Sequence, residues 1–233
     1  VLGGLGHGGS SWGVRERLML EKSALGFYLS GHLFDESARE VGRFVRTRLS
    51  ELTEGRETQT VAGIISDFRV VNGQRGRQGI FQLDDGAGRV EASASEAVIT
   101  AFRDLLKDDE LVILSGRLQP GRNGFEARFI VQQVMDLATA RCRFGKYLRV
   151  AVGEKPPEVA RLLREFSARR ESTEDGELQH GLRVRLGLRC TEGQEAAVAE
   201  LQLGEAYRTY PTDAALAAWR AQAAGGDAVV VYE

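Results

Sequence analysis

The sequence predicts a mixed α+β chain in three parts: a helical lead-in, a five-stranded β-barrel, and a small C-terminal βαββαβ domain. Three observations predict it. Residues 12–56 carry apolar side chains at helical spacing. Residues 57–137 switch to alternating, β-branched runs broken by turn residues. Residues after 141 alternate again between strand-like and helix-like runs.

The chain opens on VLGGLGHGGSS (residues 1–11), which is too poor in apolar side chains to order itself and is expected to be a linker. Trp12–Leu29 reads as a helix, with Val14, Leu18, Leu25 and Leu29 near one face and Ser30-Gly31-His32 as its stop. Asp35 is placed to cap a second helix over about Glu36–Leu49, with Val41, Phe44, Val45 and Leu49 inward. A turn at Glu54-Gly55-Arg56 closes this helical segment, residues 12–56.

Thr58–Val71 predicts a strand, Asn72–Gln78 (NGQRGRQ) a loop, and Gly79–Leu83 a second strand. Asp84-Asp85-Gly86 is a turn and Arg89–Ser93 a third strand. Ser95–Lys107 brings Val98, Ile99, Phe102, Leu105 and Leu106 to helical spacing. Glu110–Leu118 and Phe125–Asp136 are the closing strands, joined by a turn at Pro120–Gly124. The order β-β-β-α-β-β is that of an OB-fold, a five-stranded barrel whose second and third strands and adjoining loops commonly bind oligonucleotides. The barrel domain is expected over 57–140. A small sheet with one packed helix is the alternative.

Residues 141–233 predict Tyr147–Val152 as a strand, Pro157–Arg170 as a helix and Ser172–Gln179 as an acidic, polar loop. Leu182–Cys190 and Glu195–Leu203 form a hairpin, Thr212–Ala224 is a helix, and Ala228–Tyr232 is a last strand. That is the split-βαβ order, a small α+β interaction domain.

Composition narrows function. The chain has 233 residues, a net charge of −2 and only four prolines. No apolar run approaches the ~20 residues that span a bilayer, so no membrane partner is expected. The sequence starts at Val1 without a secretory pattern, which is expected of a piece of a longer polypeptide. Cys142 and Cys190 match no zinc or redox spacing, and a reducing cytoplasm is expected. An enzyme reading fails on the residues. His7, His32 and His180 sit in unrelated contexts, with no nucleophile elbow and no phosphate-cradling loop. No catalytic residue, metal or cofactor is assigned. Asp84-Asp85 reads as a turn, not a metal site.

The arginines say more. Residues 57–137 hold twelve acidic against nine basic residues. Yet Arg69, Arg75 and Arg77 cluster at the first hairpin with no acid between Phe68 and Leu83, and Arg117, Arg122 and Arg128 lie on or beside the last one. Arginine there can pair with phosphates and stack on bases; solubilising turn chemistry is the alternative. Phe68, Phe81 and Phe129 are expected in the core, and Phe125, beside Arg122, is the stacking candidate. The third strand ends in Ser93-Ala94-Ser95, with no aromatic platform, so affinity should be mainly electrostatic.

These residues resemble a known family. LEKSALGFYLSGH (20–32), TVAGIISDFRV, FQLDDGAGRVEA, LLKDDELVILSGRL, VMDLATAR and YRTYPTDAALAAW are similar to the C-terminal part of the bacterial DNA polymerase III alpha subunits. The resemblance implies an OB-fold on the single-stranded template, with Arg69, Arg75 and Arg77 as the contact. It implies a terminal domain that binds the tau subunit of the clamp loader, and catalytic aspartates that lie upstream. The sliding clamp and the rest of the polymerase would be met through upstream residues. For the tau contact, Tyr210 (expected exposed beside Pro211) and Arg208 are the candidates, with Tyr207 and Trp219 in the core. Two other readings remain open: a protein-interaction module whose OB-fold does not bind DNA, and an anticodon-binding OB-fold of an RNA-handling enzyme.

Overall fold

The protein is described here from a computed structural model, covering residues 14–25, 33–73, 76–121, 126–153, 157–173, 176–192 and 195–232. It divides into two compact units, Val1–Leu111 with Gly116–Val131 and Val112–Ser115 with Gln132–Glu233.

In the first unit, α1 spans Val14–Leu25. Its Leu18 is buried in a cluster with Leu33 and Ile64. The second helix, α2 (Asp35–Val41), is shorter than the sequence predicts, and its cap residue is Phe34, with Asp35 already inside. Gly42 follows, and β-branched Val45 and Thr47 favour leaving the helix. A tertiary bond then takes over, as the Leu49 N–H donates to Asp85 Oδ2 at 2.9 Å.

The barrel strands are β1 (Gln59–Gly73), β2 (Gly76–Asp84), β3 (Arg89–Ser95), β4 (Leu111–Gln119) and β5 (Arg128–Met135). They close in the order β1-β2-β3-β5-β4. The helix α3 (Glu96–Ala101) sits between β3 and β4 and ends earlier than predicted, its N-cap Ser95 accepting from the Val98 N–H. Of the NGQRGRQ segment expected as a loop, residues 72–73 and 76–78 lie in strands, and Gln74 and Arg75 lie outside the described residues. β1 and β2 pair out to Gly73 and Gly76, so the hairpin is long. A register shift between Ser66 and Arg69, where Asp67 has φ 55°, bends β1.

Alternation sets inside from outside. Val61, Ile65, Phe81, Leu83, Ala92, Ala94 and Phe129 are buried. Each large side chain among them contributes roughly 1.5–3 kcal/mol by leaving water. Gly116 is required by packing, because a Cβ there would run into the Ile130 carbonyl oxygen on β5. Asp84 and Asp85 form the expected turn. Asp84 Oδ1 accepts from the Gly86 N–H at 2.8 Å, and Asp85 Oδ1 accepts from Ala87 and Gly88 at 2.9 and 2.8 Å.

The second unit holds α4 (Leu137–Phe144), β6 (Tyr147–Val152), α5 (Val159–Glu165), β7 (Arg169–Thr173), β8 (Gly176–His180), β9 (Leu182–Glu192), β10 (Glu195–Gln202), β11 (Arg208–Thr209), α6 (Asp213–Gln222) and β12 (Ala228–Val231). Two features correct the sequence expectation. The acidic loop Ser172–Gln179 lies mostly in the β7–β8 hairpin, held by cross-strand pairs Arg170–Glu177 at 3.6 Å and His180–Glu171 at 2.7 Å. The sheet order is β10-β9-β6-β12, with β11 also on β9. The parallel strands β6 and β9 are direct neighbours (Val150 opposite Leu186), so the βαβ crossover is not split. Element order along a chain does not fix which strands end up adjacent. Leu148, Val150, Leu162, Val184, Leu216 and Trp219 make the core of this unit.

Candidate nucleic-acid interface

Inward Phe81, Ala92 and Phe129 leave their strand neighbours facing out. Gln78 of β2, Ser93 and Ser95 of β3, and Arg128 and Ile130 of β5 line one groove with Arg117 and Gln119 of β4. Its volume is about 1050 Å³. Arg56 joins it because the Gly55 N–H donates to the Leu118 carbonyl at 3.1 Å, bringing the turn after the helical segment against β4. Glu126 is the only carboxylate among the described lining residues, against three arginines.

The predicted residues divide as follows. Arg117 and Arg128 line this groove. Arg117 is half-buried, and its Nε is buried without a hydrogen-bond partner among the described residues. Arg128 pairs with Glu91, its cross-strand neighbour on β3. Arg69, exposed on β1, reaches the same carboxylate at 3.6 Å. Arg77 is exposed on β2, opposite Asn72. Arg75, Arg122 and Phe125 lie outside the described residues. Among the described residues no aromatic lines the groove. Phe81 and Phe129 are core, and Phe68 packs 6.1 Å from the Phe81 ring. Sequence reasoning missed Arg56, Gln78, Ser95, Gln119 and Glu91. Arg56 reads locally as a turn residue, and only its long-range approach to β4 reveals it. Glu91 reads as one more acid on an acidic barrel until its two arginine partners are seen.

The terminal unit corrects two expectations. Tyr210 is not exposed; it is 5% accessible. Its hydroxyl lies 3.1 Å from Thr139 Oγ1, its N–H donates to the Phe166 carbonyl at 2.8 Å, and the Arg169 guanidinium sits 4.0 Å over its ring. Burial pushes its phenol pKa up. Tyr207, expected in the core, is 59% exposed. Trp219 is buried as expected, its Nε1 donating to Thr209 Oγ1 at 3.3 Å. Arg208 is half-buried, donates to the Gly181 carbonyl at 3.1 Å and pairs with Glu205 at 2.5 Å, which holds that carboxyl below its ordinary pKa. Tyr207 and Arg208 border an open groove of about 800 Å³. Val159, Leu163 and Leu203 form its apolar wall, and Arg164 and Arg170 add charge with no carboxylate among the described lining residues.

A closed barrel in this strand order, with a helix between its third and fourth strands, is an OB-fold, and residues 59–137 match the family of OB-fold nucleic acid binding domains. The chain is 36% identical over 210 residues to the DNA polymerase III subunit alpha of Pseudomonas aeruginosa, covering 90% of this chain and 17% of that protein. It is 38% identical over 138 residues to that of Pseudomonas fluorescens, covering 59% of this chain and 12% of that protein. The small single-stranded DNA-binding protein of Streptomyces coelicolor is similar at 18% identity over 37% of this chain and 98% of its own, with a TM-score of 0.32. The chain is thus a relative of the bacterial DNA polymerase III alpha subunits, homologous over nearly all of its own length and spanning less than a fifth of theirs.

Proposed function

We propose that this chain is the non-catalytic C-terminal region of a replicative DNA polymerase alpha subunit. Its OB-fold holds single-stranded template DNA, and its terminal unit binds the tau subunit of the clamp loader. The arginine-lined groove across β2, β3, β5 and β4 carries the first part. Arg56, Arg117 and Arg128 would attract phosphates, displacing counterions, while Gln78, Ser93, Ser95 and Gln119 offer sequence-tolerant hydrogen bonds. With no described aromatic to stack on, binding is modest and salt-sensitive. Tethering to a clamp loader would raise the effective concentration of the polymerase at the primer end. Substituting Arg117→Ala and Arg128→Ala together should weaken single-strand binding by about 1 kcal/mol or more and reduce the salt slope by about 0.7 for each phosphate no longer held. Unchanged affinity in titrations would remove the groove from the interface.

For the terminal unit, the open groove beside Tyr207 and Arg208 supports partner binding. Tyr207→Ala with Leu163→Ser should weaken capture of purified tau at least about tenfold, the effect of losing a central aromatic anchor, and leave DNA binding unchanged. Tau binding at the unaltered level would place the contact elsewhere.

The interaction-only reading keeps one observation in its favour: Glu91 occupies both Arg69 and Arg128. That reading expects tau binding with no affinity for any oligonucleotide.

A further inference from the structure

Glu91 is an outward acid that this face turns towards its own arginines. It lies on β3 directly opposite Arg128 of β5, next in line from the groove-lining Ser93. One carboxylate oxygen pairs with Arg128 and the other is 3.6 Å from Arg69. Its side chain is 25% exposed, so solvent and solutes reach it. Arg117, by contrast, has its Nε buried with no partner among the described residues. The arginines of this barrel therefore differ in what they hold. Arg117 has donor capacity to spare, whereas Arg69 and Arg128 share an internal anion.

We infer that Glu91 is an affinity-setting residue of the groove: its carboxylate competes with backbone phosphates for Arg69 and Arg128. This rests on the single-strand-binding reading above. A guanidinium cannot present the same fork of N–H donors to a carboxylate and to a phosphate at once. A phosphate arriving at Arg128 must displace Glu91 and then sit near a carboxylate of like charge. Ion pairs that solvent reaches, as it reaches this half-buried one, are weak, so displacement is reversible and the site remains usable. Two guanidiniums and one carboxylate carry a net charge of +1 at this place; with Glu91 neutral they carry +2. The strand is then gripped lightly here and can slide, which suits a template that must move.

The test is Glu91→Gln in the 233-residue chain, with Glu91→Ala as a second variant should the amide find new hydrogen bonds. Binding to a fluorescein-labelled oligo-dT and to a duplex of equal length is read across a salt series, with thermal unfolding as the check on folding. Both variants should bind the single strand about three- to tenfold tighter at low salt. The slope of log K against log salt should steepen by about 0.7 for each additional phosphate held. In an Arg128→Gln background the gain should shrink, since one of the two arginines that Glu91 withholds from phosphate is gone. If the unaltered chain binds single strands and the variants bind equally or more weakly, Glu91 merely positions the arginines, and competition is wrong while template binding stands. If neither the unaltered chain nor the variants bind, template binding falls and this inference falls with it.

Discussion

Tyr210 and Cys142 show how much a side chain's behaviour depends on neighbours distant in sequence. Tyr210 stands beside a proline, the usual sign of an exposed turn, yet Thr139, Phe166 and Arg169 enclose it. Tyr207 goes the other way. The two-residue strand β11 pairs Arg208 with Arg183 and Thr209 with Leu182, and that pairing decides which tyrosine turns inward. Cys142 on α4 has its thiol pKa pushed up from 9.0 to about 12, first by burial and then by Asp136. The thiol is therefore neutral at physiological pH. Its folded pKa lies above its unfolded one, so the folded form retains its proton longer. The stability this contributes is complete below pH 9 and is lost as pH rises from 9 towards 12. Cys142→Ser should make the alkaline fall in Tm shallower over that window. In a Cys190→Ser background, Cys142 should also react slowly with thiol reagents at about pH 8, below its raised pKa, until the protein unfolds. Fast labelling in the folded state would contradict the burial.

At the scale of elements, the Asp84-Asp85-Gly86 turn is worth more than its length suggests. Asp85 accepts from three N–H groups, those of Ala87, Gly88 and Leu49, and so ties the β2–β3 turn to the segment after α2. Asp85→Ala should cost about 1–3 kcal/mol, since three donors lose their partner. The check is denaturant unfolding, and a change below half of the lower figure would mean water replaces the carboxylate. This turn was legible in the sequence, because an Asx turn is made by residues within three positions of each other. The barrel strands were legible for a related reason: the alternation in Arg89–Ser95 and the apolar run that opens Leu111–Gln119 are local properties. The path of the segment after α2 was less so, because the bond from Leu49 to Asp85 that ties it down spans 36 positions. The β7–β8 hairpin hid in polar composition, since its strands are joined by polar side-chain contacts rather than by apolar alternation.

At the scale of the whole chain, the five-stranded barrel order was readable because its helix falls at a characteristic place between the third and fourth strands. The terminal sheet was not, because β12 could have joined either edge and joined beside β6. The candidate interface was half readable. Arg117 and Arg128 were marked by their hairpin, but the groove itself exists only once β2, β3, β5 and β4 lie side by side and Arg56 is brought to them. The chemistry proposed for it is phosphate attraction without a described stacking platform, and that combination has a distinct signature. Fluorescence anisotropy of this chain with single-stranded and duplex oligonucleotides, each across a salt series, reads it. The expected result is tighter binding to the single strand, with affinity falling log-linearly as salt rises. No binding to either form at low salt, with the chain folded, would contradict it and leave a protein-interaction module in its place.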